Sequence, residues 1–179
     1  MRSRAEGPRS LHLFGGHRLS ISEETLQSEP TYITLHNKHR GELAELAFMR
    51  TVANRGYAVS KPWGECERHD FVVRAGKVFW RVQVKSVRAK YPQRRHYCLK
   101  TADSHKIPYS PEDIDFLVAY IFPEDAWYVF PAIVVESRKS LCITPGSKRS
   151  RLEKFREAWK LMEQTGTGQT CPPPETLKA

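Results

Sequence analysis

The chain has 179 residues, enough for one domain with a sizeable core plus terminal tails. Hydrophobic residues make up 40% and charged residues 27%, the profile of a water-soluble globular chain, and no apolar run approaches the ~20 residues of a membrane span. The net charge of +9 and a pI of about 9.5 favour a polyanionic partner, because cations that neutralise phosphates release counterions.

The same charge also serves solubility alone. An anionic membrane is the weaker match, since no helix joins a basic face to a strongly apolar one. Cys66, Cys98, Cys142 and Cys171 form no CxxC pair and no disulfide-like spacing, which fits reduced thiols in a cytoplasmic protein. Cys66-x-x-His69 and His96-x-Cys98 are too irregularly spaced for a structural zinc site.

Residues 1–30 show no sustained period, and Arg2, Arg4, Arg9 and Arg18 are followed by no continuous apolar core of a secretory signal. They read as a disordered basic N-terminal arm. A folded domain is expected over 31–165, followed by a flexible tail over 166–179 with Pro172-Pro173-Pro174. The first helix is expected over 38–55, with Asn37 as N-cap and Gly56 in the left-handed position past its end. Its apolar arc comprises Leu46, Phe48, Met49 and Val52. Glu45 falls in the middle of that arc, which is costly for a carboxylate unless a cation or hydrogen bonds satisfy it.

Strands follow over 57–63 and 70–74, then a turn at Ala75-Gly76 and a long strand over 77–87. In that last strand Val78, Trp80, Val82 and Val84 alternate with Phe79, Arg81, Gln83 and Lys85. Further strands are expected over 114–122 and 127–130. Ile133-Val134-Val135 reads as a short strand or a helix start, and Leu141-Cys142-Ile143 as a short strand. A final helix carries Leu152, Phe155, Trp159 and Met162 at amphipathic spacing, as a face that docks on the sheet. Helix, strands and helix in this order indicate an α/β or α+β domain with a mixed central sheet flanked by helices.

The hairpin decides where Asp70 points. With Ala75-Gly76 as a two-residue loop, Asp70 stands across from Arg81 and shares a face with Gln83 and Lys85, a face the first helix is placed to cover. A type I turn with a bulge at Gly76 shifts the register by one and turns Asp70 the other way; propensity leaves both open.

Asp70 followed by Arg81-Val82-Gln83-Val84-Lys85 resembles the PD-(D/E)XK nuclease signature, with Gln at the second acidic position and His69 before the Asp. The helix stretch Lys38-His39-Arg40-Gly41-Glu42-Leu43-Ala44-Glu45, then Gly56-Tyr57, Tyr109, Asp113-Ile114-Asp115 and Trp127-Tyr128-Val129-Phe130-Pro131, is similar to the group I intron homing endonucleases of that superfamily and their bacterial relatives. The resemblance spans 38–131. It implies a restriction-endonuclease-like core and a metal-dependent endonuclease that hydrolyses DNA phosphodiester bonds.

It also implies a site of Glu45, Asp70, Gln83 and Lys85. Mg2+, for which Mn2+ substitutes, would be held by Asp70, Gln83 and Glu45, because hard cations take carboxylate and carbonyl-type oxygens. Lys85 would orient or deprotonate the attacking water. Glu42 is the alternative helix acid. Arg88, Lys90, Arg94, Arg95 and Lys100 leave this site directly, with Tyr91 and Tyr97 interleaved and no acid among them, and are assigned to phosphate contact; otherwise the stretch is a solvated loop. Lys148, Arg149 and Arg151 would extend the surface.

Structural roles stand beside these. Asp70 can pair with Arg81, Glu45 can pair with Arg81 or Lys85, and Asp113 and Asp115 can shape the loop before a strand. The alternative function is a catalytically inactive DNA-binding or assembly module with a nuclease fold. Symmetric cutting of a duplex would call for a homo-oligomer.

Overall fold

The structure, a computed structural model, describes residues 36–163 apart from 65, 91 and 92. The expected basic arm and C-terminal tail lie outside the described residues.

Helix α1 (Asn37–Asn54) begins one residue earlier than its sequence suggests, with His36 as the cap. The His36 Nδ1 accepts from the Lys38 backbone N–H at 3.5 Å, so Asn37 is the first helical residue and not the cap. At the other end Gly56 takes φ +79°, the left-handed conformation expected of it. Ala44, Phe48 and Val52 form the buried stripe at a spacing of four. Leu46 is 57% exposed, so the apolar arc is narrower than a count of large side chains implies.

Five strands form the main sheet in the order β1-β2-β3-β5-β6: β1 (Ala58–Ser60), β2 (Phe71–Ala75), β3 (Val78–Val87), β5 (Phe116–Ile121) and β6 (Ala126–Pro131). The β3–β5 pair is parallel and the other pairs are antiparallel, which makes the sheet mixed. β1 stops well short of residue 63. Pro62 and Gly64 follow it, and Trp63 projects fully into solvent. Strands β5 and β6 are joined by a 3-10 turn, Phe122–Glu124, with Asp125 at φ 42°.

A second, two-stranded sheet pairs β4 (Tyr97–Lys100) with β7 (Ser140–Ile143). The stretch between Lys85 and Lys100 is therefore not a loop throughout. Tyr97 and Leu99 are core residues, masked in the sequence by the cations around them. A short helical turn α2 (Ala132–Val135) follows β6, the helix start among the two readings of that segment.

Two apolar cores lie on opposite faces of the main sheet. Phe48 and Val52 of α1 pack with Phe71, Val82, Val84 and Trp127 on one face. Tyr97, Leu99, Leu141 and Ile143 of the small sheet pack with Leu117, Ala119, Ile121 and Phe130 on the other. The architecture is the mixed-sheet α+β core expected of the sequence.

The expected final helix is two 3-10 turns, Glu153–Phe155 and Trp159–Met162, separated by Arg156 in extended backbone and Glu157 at φ 49°. Arg156 bridges to Tyr128, and the Glu157 N–H donates to the Trp127 carbonyl at 2.8 Å. The segment uses its backbone groups to finish the edge of β6, so it cannot also satisfy them internally as a helix. Its apolar residues are buried all the same: Phe155 in one core, Trp159 and Met162 in the other. Among the described residues no helix is long and apolar enough to cross a membrane.

Candidate active site

Asp70 stands one residue before β2, and its N–H donates to the Val82 carbonyl at 3.0 Å. The hairpin loop is Gly76-Lys77, with Gly76 at φ +63° in the first loop position that a type II′ turn reserves for glycine. Phe71 therefore pairs with Val82, two residues out of step with the register expected from an Ala75-Gly76 loop. A shift of two preserves the face. Asp70 stands just past the last ladder pair, and its side chain meets Gln83 instead of Arg81.

The contact follows directly. Asp70 Oδ2 accepts from Gln83 Nε2 at 2.5 Å and from the Val84 backbone N–H at 2.8 Å. Gln83 Nε2 donates as well to the Val84 carbonyl at 3.2 Å, which commits the amide nitrogen and leaves the amide oxygen for the cleft. Arg81 is not Asp70's partner. Its guanidinium pairs with Asp115 at 3.0 Å and donates to the carbonyls of Pro111 and Glu112, tying β3 to the loop before β5.

Burial pushes the Asp70 carboxyl up from the ordinary carboxylate value. The Val84 N–H opposes this, the nearby Glu45 carboxylate adds to it, and Lys85 and Gln83 oppose it. Glu45 Oε2 lies 2.7 Å from Lys61 Nζ, so its ion pair is with Lys61 and not with Arg81 or Lys85. The first helix does not cover the Gln83–Lys85 face. It packs on the opposite, Val82–Val84 face, and Glu45 enters the same cleft from its flank. Glu42 is exposed and does not line the cleft.

Lys85 Nζ lies 5.2 Å from the centre of the Tyr109 ring, and the Arg68 guanidinium lies 5.1 Å from the same ring. Arg68 in turn binds Asp113 at 2.6 Å and Asp103 at 3.2 Å. Asp113 also accepts from the Ser110 N–H and hydroxyl, so Asp113 and Asp115 both act as loop scaffolding. Tyr109 was visible in sequence as a family-like position, but nothing in the sequence pointed to Arg68 as the residue behind it.

An open cleft of about 1060 Å3 contains Glu45, Asp70, Gln83 and Lys85 together. Of the five cations assigned to phosphate contact, Arg88 and Lys100 line it. Lys90 lies over the Tyr97 ring and pairs with Glu124, while Arg94 and Arg95 are exposed away from the lining. Lys148, Arg149 and Arg151 are also exposed outside it. Tyr97 is a core residue whose hydroxyl donates to Glu124 at 2.7 Å, so it is not a surface for bases to stack on. Arg40, Lys106 and Lys139, to which the sequence assigned no site role, complete the basic lining.

No group of three or more His, Cys, Asp or Glu side chains stands together among the described residues. The oxygen donors are two carboxylates, Asp70 and Glu45, and the Gln83 amide. This set fits a hard divalent cation; the Asp70 carboxyl is raised chiefly by burial, with the Glu45 carboxylate adding to it, and a bound cation would favour its ionised form.

The sequence profile of the PD-(D/E)XK endonuclease family matches residues 35–162. Among solved structures the chain is similar to a bacterial homing endonuclease, with a TM-score of 0.66 and 28% identity over 72% of this chain and 94% of the other. A Holliday junction resolvase from the archaeal hyperthermophile Archaeoglobus fulgidus aligns with a TM-score of 0.41 and 18% identity over 59% and 84%. No curated protein matches by sequence. The family profile covers the α1 acid, the hairpin and both cores, and the chain belongs to the PD-(D/E)XK endonuclease family.

Proposed function

We propose that the chain is a metal-dependent endonuclease that hydrolyses DNA phosphodiester bonds, with Glu45, Asp70, Gln83 and Lys85 as its site. The observation that carries this reading is their meeting in a single cleft whose other charges are mostly cations, Arg40, Arg88, Lys100, Lys106 and Lys139 among them. A polyanionic strand is drawn to such a cleft, and the carboxylates give it somewhere to hold a divalent ion.

Asp70, Gln83 through its amide oxygen, and Glu45 would hold Mg2+ or Mn2+. Bound there, the ion would supply Lewis-acid stabilisation of the charge that builds on the phosphoryl oxygens. The Val84 N–H and the Gln83 amide fix the Asp70 carboxylate against the strand, so its direction is set before substrate arrives. Lys85 presents its ammonium on the same face, steadied over Tyr109. There it offsets phosphate charge and orients the attacking water, passing or taking a proton at Nζ.

Lys85→Ala is the test. With supercoiled plasmid and Mg2+ or Mn2+, cleavage is expected to be lost almost entirely. DNA binding in EDTA is expected to weaken only as one phosphate contact allows, with a salt slope lower by about one unit. Wild-type cleavage by Lys85→Ala removes the assignment of the site. A wild-type protein that binds DNA and never nicks it with either ion is instead the inactive binding module.

A further inference from the structure

Arg40 is placed against four separate penalties. It continues the Ala44–Phe48–Val52 stripe one helical turn toward the N-terminus, so it faces inward. Its Nε and Nη1 are buried and have no hydrogen-bond partner among the described residues. It stands in the first turn of α1, where no acidic residue offsets it and where the helix dipole is positive. It also feels the like charge of Arg88, which together with burial lowers its pKa. Nothing among the described residues repays this arrangement.

All four features are relieved at once by an anion. We propose that Arg40, with Arg88 and the first turn of α1, forms a phosphate-binding site in the cleft beside Asp70, Gln83 and Lys85. Asn37, Arg40, Gly41 and Arg88 line the same cleft as those residues. A Cβ built on Gly41 meets nothing within 4 Å, so the helix backbone there borders open space that a phosphate can approach. The guanidinium offers two preset donors, which suits a tetrahedral oxyanion. This rests on the nuclease reading for the identity of the ligand: a backbone phosphate of the bound strand, held next to the one attacked. Arg40 is then a positioning residue, setting the register of the strand over Lys85.

The experiment measures binding of a short DNA duplex in EDTA across a salt series, for wild type, Arg40→Gln, Arg40→Lys and the exposed strand-β2 control Arg74→Gln. Thermal melts with and without inorganic phosphate accompany it. Arg40→Gln is expected to weaken binding roughly tenfold and to lower the salt slope by about one unit. Phosphate is expected to raise the melting temperature of wild type and not of Arg40→Gln. Arg40→Lys should keep the salt slope but lose the phosphate shift, because it retains charge without the fork. Arg74→Gln should behave as wild type.

Without phosphate, Arg40→Gln should melt no lower than wild type, since two unpartnered buried donors are gone; should it fail to fold, Arg40→Lys carries the comparison. Wild-type affinity, slope and phosphate response in the Arg40 variants overturn the site. A phosphate shift that depends on Arg40, in a protein that neither binds nor cuts DNA, upholds the site and overturns the nuclease reading. DNA cleavage with Arg40 variants indistinguishable from wild type does the reverse.

Discussion

Asp70 sits where an ionised carboxylate is poorly solvated and has another carboxylate for a neighbour. Its pKa is raised in the folded chain, chiefly by burial. The protonated form therefore stabilises the fold. That contribution is fully present below the unfolded carboxylate pKa and is lost as pH rises through the higher folded value. In EDTA, Asp70→Asn is expected to remove this pH-dependent loss and to melt at or above the wild-type temperature near neutral pH. Mn2+ should raise the melting temperature of wild type and leave Asp70→Asn unmoved; a metal response that survives the substitution locates the ion elsewhere.

Gln83 makes a complementary case. Its amide nitrogen donates to the Asp70 carboxylate at 2.5 Å and so favours the ionised form, while its oxygen offers a metal only a neutral ligand. Gln83→Glu sets two carboxylates face to face, so the metal-free protein should be less stable while Mn2+ binds as tightly or more tightly by calorimetry. Equal Mn2+ affinity in wild type, Gln83→Glu and Asp70→Asn would show that neither residue is a ligand. That Gln83 and Lys85 share a face was legible from strand alternation alone, whereas the face of Asp70 hung on the turn, which propensity left open. The partners of Glu45 and Arg81 were not legible, because Lys61 and Asp115 are joined to them through loops whose paths no local pattern encodes.

At the scale of elements, the β2–β3 hairpin shows how a wrong turn can leave a right face. Ala75-Gly76 and Gly76-Lys77 differ by one residue at the loop and by two in pairing, so every side chain stays on its side of the sheet. Strands with strict alternation were legible for this reason, whereas β4 was hidden by a run of cations and β1 was overread through Pro62. The burial of α1 was partly legible. The spacing of Phe48 and Val52 marks the stripe, but whether it extends to Leu46 or to Arg40 depends on what lies opposite. Gly41 has a related consequence. It lies inside the helix, where glycine costs about 1 kcal/mol relative to alanine, and an added methyl group meets no neighbour. Gly41→Ala is expected to stabilise the metal-free protein by roughly 0.5–1 kcal/mol in denaturant titrations. If the phosphate approaches the helix backbone closely, the same variant binds duplex DNA more weakly; a stabilised variant with unchanged binding would place the phosphate away from Gly41.

The whole molecule is held by a segment that visits both of its cores. After β7 the chain buries Phe155 on the small-sheet side, then crosses the β6 edge and buries Trp159 and Met162 on the α1 side. The crossing is fastened by backbone bonds to β6. The Glu157 N–H donates to the Trp127 carbonyl, and the Trp127 N–H donates to the Glu157 carboxylate at 2.7 Å. Trp80 Nε1 adds a bond to the Met162 carbonyl at 3.0 Å. An edge strand left bare would present a row of unpaired groups to other chains, and this strap occupies part of it. Trp159 is the anchor, against Phe48 and Trp127 with the Arg55 guanidinium 4.6 Å over its ring. Trp159→Ala is expected to cost about 3–5 kcal/mol in equilibrium unfolding, the range for truncating a buried aromatic. Because the cleft lies on the side of Gln83 and Lys85, cleavage per folded molecule should stay near wild type well below the melting temperature. Removing residues after Arg151 takes away both anchors and uncovers β6. That chain should self-associate in light-scattering measurements and lose its single cooperative transition; a monodisperse, cooperatively folding truncation would show that the two cores do not need the strap.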